Sequence, residues 1–292
     1  MGTSSVIAVI PSRYGSTRLP GKSLIQLCGK PLVQWVYERT RQARGLDRVV
    51  VATDDQRIAD AVCGFGGEVV MTRPDHPSGT DRIAEAVQGL GADVILNVQG
   101  DEPLIDPALI DELAAVLSAE AGWDMGTAAT PIHDPAELAN PAVVKVVWDH
   151  EGRALYFSRS PIPHVRDGVP GAVQPGLHWR HIGLYGYRRA FLQRMVQEPP
   201  CPLELAEKLE QLRAVLDHTF RELPSGGGFL EHCELRVAAA LDCGPVGFGL
   251  GIVNRGLRLD PVRWILRCVA VRLQCGDARG EVVRLGFCIA FG

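Results

Sequence analysis

The residues able to do chemistry cluster in short segments that follow apolar, β-branched runs. Residues 11–22 read Pro-Ser-Arg-Tyr-Gly-Ser-Thr-Arg-Leu-Pro-Gly-Lys. The segment carries the cations Arg13, Arg18 and Lys22, the glycines Gly15 and Gly21, and hydroxyls that include Ser16. Backbone N–H groups near glycine can close around phosphate oxygens. Arginine offers a planar fork for two oxygens at once, and lysine a point charge. That is equipment for a triphosphate. A solvated basic turn would use the same residues, but position at a strand end favours the functional reading. The segment is not a P-loop: five residues separate Gly15 from Gly21-Lys22-Ser23, where that motif has four. A Rossmann glycine fingerprint is also absent from this first turn, so neither an ATPase nor an NAD enzyme is indicated.

A second segment, Gln99-Gly100-Asp101-Glu102-Pro103, ends the apolar run at residues 93–98. A carboxylate just past a buried strand can hold Mg²⁺, which takes carboxylate and phosphate oxygens. Gly-Asp equally suits a plain β-turn, and the residues alone leave both readings open. A third group, Arg73, His76, Ser78, Gly79 and Thr80, precedes a helical pattern. Ser78 and Thr80 also read as helix caps, whereas Arg73 does not. His150 and His218 support no functional claim.

Taken together these segments resemble the bacterial 3-deoxy-manno-octulosonate (Kdo) cytidylyltransferases. The resemblance runs through PSRYGSTRLPGK (11–22), VVVATDD (49–55), MTRPDHPSGTDRIAE (71–85) and NVQGDEP (97–103). It continues through NPAVVKVV (140–147), ALYFSRSPIP (154–163), RHIGLYGYR (180–188) and LEQLR (209–213), covering nearly all of residues 5–213. It implies transfer of CMP from CTP to Kdo with release of pyrophosphate, for lipopolysaccharide synthesis. It implies Asp101 as a Mg²⁺ ligand and Arg13, Lys22 and Asp101 as catalytic groups. Arg13, Ser16, Arg18, Lys22, Arg73, His76, Ser78 and Gly79 would bind the nucleotide. Gln99, Arg159, His181, Tyr185, Glu210 and Gln211 would bind the sugar. A homodimer is implied as well, and a cytoplasmic setting is expected from the cysteine pattern and from the lack of an evident signal peptide. A cytidylyltransferase for another acid sugar, or a nucleotide-binding relic without activity, are the competing readings.

Positioning such groups calls for alternating strands and helices. Strand-like runs fall at 5–10, 48–52, 68–71 and 93–98. Helical patterns fall at 31–43, where Pro31 occupies a helix-start position, and at 55–63, 80–87 and 107–117. This alternation predicts an α/β fold with a mostly parallel sheet flanked by helices, and ligands at the carboxyl ends of its strands. The resemblance makes it a Rossmann-like nucleotidyltransferase fold. Further strands at 125–130, 143–148, 154–157 and 182–187 suggest a small mixed β subregion. A Gly/Pro-rich loop is expected at 167–178, and one helix at 203–213.

The 292 residues suffice for a sizeable core, and a net charge of −4 argues against a nucleic-acid coat protein. No apolar run reaches membrane-spanning length, no signal peptide is evident, and the eight cysteines include no C-x-x-C pair. Composition changes near residue 213. All four lysines precede it; five of the eight cysteines and only three of the twenty prolines follow it. Residues 1–213 are therefore read as the nucleotidyltransferase domain and 214–292 as an atypical tail. The family's V-D-T-P-E-D-L motif, source of a second metal carboxylate, is absent from that tail. Asp217, Asp242 and Asp260 are the nearest substitutes by chemistry, with Asp242 the best placed. The tail is either an added module or an out-of-frame reading of a GC-rich gene. The second is favoured, because the break falls among dense motifs and removes a required helix.

Overall fold

The computed structural model describes residues 4–15, 19–119, 122–169 and 171–221, together with strands at 235–239, 275–276 and 282–283. It divides into two compact units, Met1–Ile252 and Val253–Gly292.

The first unit begins with β1 (Val6–Ser12), a short hairpin of β2 (Gln26–Leu27) and β3 (Lys30–Pro31), and α1 (Leu32–Thr40). Then come β4 (Arg48–Thr53), α2 (Gln56–Gly64), β5 (Glu68–Met71), α3 (Gly79–Ala86), β6 (Val94–Val98) and α4 (Pro107–Ala119). Strands β6, β1, β4 and β5 lie side by side and parallel, in that order. β1 and β6 read as nearly unbroken apolar runs because helices cover both faces of the sheet; Val9, Ile10, Ile95 and Leu96 are fully buried. The turns are locally encoded. Asp55 caps α2 by accepting from Arg57 N, and Ser78 caps α3 by accepting from Asp81 N.

The remaining elements extend the sheet on the β6 side. They are β7 (Met125–Pro131), α5 (Pro135–Ala139), β8 (Lys145–Trp148), β9 (Ala154–Ser158), β10 (Trp179–Arg188), α6 (Arg189–Met195), α7 (Pro202–Glu207), α8 (Gln211–Arg221) and β11 (Leu235–Ala239). β10 inserts antiparallel between β6 and β7, and β11 pairs parallel with the far side of β7. β8 and β9 form an antiparallel pair attached to β10 through Arg180 and Lys145. The mostly parallel α/β sheet with a mixed extension thus matches the expected class.

Two expectations are corrected. The segment at 203–213 is not one helix. α7 stops where Lys208 adopts a left-handed backbone (φ 56, ψ 48), and α8 starts at Gln211. The corner is closed by a buried ion pair: Arg213 donates from Nε and Nη2 to the Glu204 carboxylate at 2.8 and 2.6 Å. The strand expected at 182–187 runs from Trp179 to Arg188, because pairing on both edges holds it extended. The loop at 167–178 is observed in its described part.

Position 213 falls inside α8. In the second unit, β12 (Cys275–Gly276) and β13 (Val282–Val283) pair antiparallel. Asp242, Asp260 and the side chain of Asp217, the substitutes for the second metal carboxylate, lie outside the described residues.

Candidate active site

The loop after β1 is folded back on itself. Gly21 N donates to Tyr14 O at 2.8 Å, and Gly21 has a positive φ of 68°. A Cβ there would lie 3.0 Å from the Tyr14 ring, so glycine is needed both for the turn and for the close approach. The Tyr14 ring is backed by the Arg57 guanidinium at 3.3 Å, itself held by Asp55. This stack makes a firm base for Arg13 and Lys22. Ser16 and Arg18 lie outside the described residues.

Lys22 Nζ reaches Asp101 Oδ2 at 2.6 Å, tying the basic loop to the acidic turn after β6. Gly100 permits this approach, since a Cβ would sit 3.1 Å from Pro11 O. Both partners are substantially exposed, at 39% and 48%. The pair is therefore open to exchange with a ligand, and a surface pair of this kind contributes little stability. Burial and the Asp101 charge push the Glu102 carboxyl above its ordinary range, while Arg180 and Lys22 oppose them.

On the other side of the basic loop, His76 is buried against Glu85 Oε2, and Glu85 also accepts from Arg73 N. This contact pins the 73–78 turn. The Arg73 side chain is exposed. Ser78 Oγ is engaged with Asp81, donating to its carboxylate at 2.5 Å. Gly79 packs on Pro11, at 3.5 Å from where its Cβ would stand. Thr80 is no cap: its hydroxyl donates to Glu210 Oε2 at 2.7 Å, across 130 positions of sequence.

Thr80 and Gly79 open onto a cavity of about 410 Å³. Gln99, His181, Tyr185, Glu210 and Gln211 all line it. The left-handed break at Lys208 turns Leu209, Glu210 and Gln211 into its wall. Gln211 Nε2 is buried without a hydrogen-bond partner among the described residues. An orphan buried donor costs about 1–3 kcal/mol unless a ligand or water meets it. Burial lifts the Glu210 carboxyl above its usual range, with hydrogen bonds from Thr80 and Ser78 pulling the other way. Burial likewise raises Tyr185, with Tyr187 and Glu210 adding to it, so the phenol stays protonated. Burial pushes His181 down to about 3, and its imidazole is neutral at ordinary pH.

Arg159 is placed differently from the other five sugar-side residues. It is not among those lining the cavity. Its Nε donates to Glu207 O at 2.7 Å and its Nη1 to Pro141 O at 3.0 Å. Beside it, the fully buried Lys145 donates to the carbonyls of Asn140, Val143 and Arg159 at 3.1, 2.8 and 2.5 Å. Lys145 and Arg159 thereby hold the 142–144 wall of the cavity against the 208–211 wall. Sequence reasoning did not single out Lys145, nor the cavity residues Asn97, Tyr187, Arg180 and Lys208. The KVV and RHIG blocks contained Lys145 and Arg180, but only as parts of the resemblance.

The site therefore offers a basic loop, a carboxylate at a strand end, and a cavity of mixed polar and apolar lining that includes Gln99, two residues before that carboxylate. Among the described residues no group of three or more His, Cys, Asp or Glu could hold a metal alone, so a magnesium ion here would take Asp101 together with phosphate oxygens. Asp101 is exposed, spends one oxygen on a replaceable lysine and faces the basic loop.

Comparison with known proteins gives the family. The family model described as cytidylyltransferase matches residues 7–220. A 3-deoxy-manno-octulosonate cytidylyltransferase of Syntrophotalea carbinolica is 56% identical over 216 residues, covering 72% of this chain and 86% of the relative. One from Pseudomonas fluorescens is 50% identical over 271 residues, covering 90% of this chain and 99% of the relative. That share is larger than the first 213 residues alone supply. A solved structure of CMP:2-keto-3-deoxy-manno-octonic acid synthetase complexed with CTP superposes with a TM-score of 0.73 at 41% identity. It covers 85% of this chain and 93% of that one. This chain belongs to the cytidylyltransferase family, in the branch of the 3-deoxy-manno-octulosonate cytidylyltransferases.

Proposed function

We propose that the chain transfers CMP from CTP to Kdo, forming CMP-Kdo and pyrophosphate. The observation that carries the reading is the cavity: five residues implied for the sugar line one pocket, and the Gln211 Nε2 donor there has no partner among the described residues. The cavity wall includes Gln99, two residues before Asp101, whose carboxylate pairs with Lys22. In this reading the triphosphate lies on the basic loop, where Arg13, Arg18 and Lys22 neutralise charge on the phosphates. Arg73, His76, Ser78, Gly79 and Ser16 frame the nucleotide, His76 and Ser78 by fixing the turn before α3. Gln99, His181, Tyr185, Glu210 and Gln211 orient the sugar hydroxyls, and Arg159 braces the pocket from behind. The anomeric hydroxyl attacks the α-phosphorus in line with the departing pyrophosphate, so positioning supplies much of the rate. Mg²⁺, held by Asp101 when bound, would screen the triphosphate and acidify the attacking hydroxyl. Lys22 would then exchange its Asp101 partner for a phosphate oxygen.

Pyrophosphate release from CTP and Mg²⁺ tests the proposal. Release with Kdo and not with sialic acid supports it. Release with sialic acid gives the second acid-sugar reading. Nucleotide binding without release under either condition gives the relic reading. A homodimer and a cytoplasmic setting are part of the same proposal, the first checked by light scattering. No helix among the described residues is long and apolar enough to cross a membrane.

A further inference from the structure

We infer that Arg180 reads the carboxylate of the acid sugar, and so selects an acid sugar over a neutral one. The inference rests on the cytidylyltransferase reading above. In a 2-keto sugar acid, the carboxylate sits on the same carbon as the attacking hydroxyl. Its partner must therefore stand where the sugar cavity meets the Lys22–Asp101 pair. Among the described residues lining the cavity, two carry a positive charge: Arg180 and Lys208. Arg180 is at that end: β10 runs antiparallel to β6 with Leu184 opposite Val98 and Gly183 against the Gln99 side chain, so the Arg180 end of β10 lies alongside the turn that carries Asp101.

Arg159, the cation that the resemblance places by the sugar, commits Nε and Nη1 to the carbonyls of Glu207 and Pro141. Its backbone N and the neighbouring Ser158 hydroxyl are bonded to the Glu207 carboxylate as well. It is built into the wall. Arg180 is set up otherwise. Pairing with Thr130 on β7 and Lys145 on β8 fixes its backbone from two strands. Its guanidinium pairs through Nη1 with Glu137 of α5 and is 45% exposed. The head is thus held by a carboxylate already, is nearly half exposed and belongs to a residue that lines the cavity. Guanidinium has five donors, so a second carboxylate can be accepted beside Glu137 without breaking that pair. A neutral sugar would leave those donors to water and gain nothing from the charge.

The test is calorimetric titration of the full chain, with CTP and a chelator present so that no turnover occurs. The probes are Kdo and its methyl ester, which keeps the hydroxyls and loses the charge. The wild-type chain should favour the acid by about tenfold or more, as expected for a charge-assisted hydrogen bond. Arg180→Gln should bring acid and ester within about twofold while leaving ester affinity unchanged, and Arg180→Lys should keep part of the preference. An Arg180→Gln chain that retains the full preference overturns the inference, as does one that loses acid and ester alike. A wild-type chain that binds CTP but neither probe overturns the acid-sugar reading itself, a result distinct from the other two.

Discussion

Acidification should destabilise this protein through His181. The imidazole lies on the cavity floor between the Phe157 edge, with centroids 5.1 Å apart, and the Tyr185 ring at 5.2 Å. Thr127 Oγ1 donates to Leu184 O at 2.8 Å and lies 2.8 Å from His181 Nε2. With its proton spent on Leu184, the hydroxyl accepts from Nε2–H, a tautomer assigned from the network. Protonation must then occur at Nδ1, and burial pushes the pKa from 6.5 down to about 3. Between those values the unfolded chain binds a proton that the folded chain refuses. The stabilisation is complete above 6.5 and declines as pH falls through the window toward 3. Each tenfold difference in proton affinity between the two states is about 1.36 kcal/mol, so moving from about pH 7 to 5 costs at most about 2 kcal/mol. Water in the open cavity lowers this to about 1–2 kcal/mol. Urea titrations of the wild-type chain and His181→Gln at both pH values measure it. The wild type should lose that much more than the variant. Equal losses, or an imidazole that titrates near its ordinary value by NMR, would overturn this account of His181.

Three further outcomes are expected. Asp101→Asn should abolish pyrophosphate release while the melting profile stays intact; turnover retained at ordinary Mg²⁺ removes Asp101 from the metal site. Arg213→Met should cost about 3–5 kcal/mol by urea titration, because it strands the Glu204 carboxylate, whose side chain is 9% exposed. Adding Glu204→Gln should recover part of that loss, and a single-variant cost under about 1 kcal/mol would show the corner does not depend on the pair. Gly186→Ala should destabilise by about 1–3 kcal/mol, since a Cβ on β10 would collide with Leu117 of α4 and Leu96 of β6. An unchanged midpoint would mean α4 yields freely.

The parallel half of the sheet was legible because strands buried on both faces announce themselves as apolar runs, and the strand at 68–71 was placed to the residue. α5 and α6 were not read: at five and seven residues they are too short to display helical periodicity. The break at Lys208 was invisible for a related reason. Leu205, Leu209 and Leu212 keep a helical spacing straight across it. What stops the helix is the Glu204–Arg213 pair and the cavity wall, both of them contacts between segments.

Residue type and spacing were enough to establish the α/β class, the basic loop and the carboxylate after β6, and the resemblance added a set of residues proposed for the sugar. Those signals are local, carried within a dozen positions of the chain. Which cations line the cavity was settled by packing between distant segments. Packing joined Thr80 to Glu210 and Lys22 to Asp101, left Gln211 Nε2 unpaired among the described residues, turned Arg159 into the wall and placed Arg180 along the cavity. The physical reason is that a guanidinium binds whichever oxygens the packed chain sets within its reach. For Arg159 those are carbonyls of Pro141 and Glu207, whose proximity is fixed by the folding of β8, β9 and α7 together.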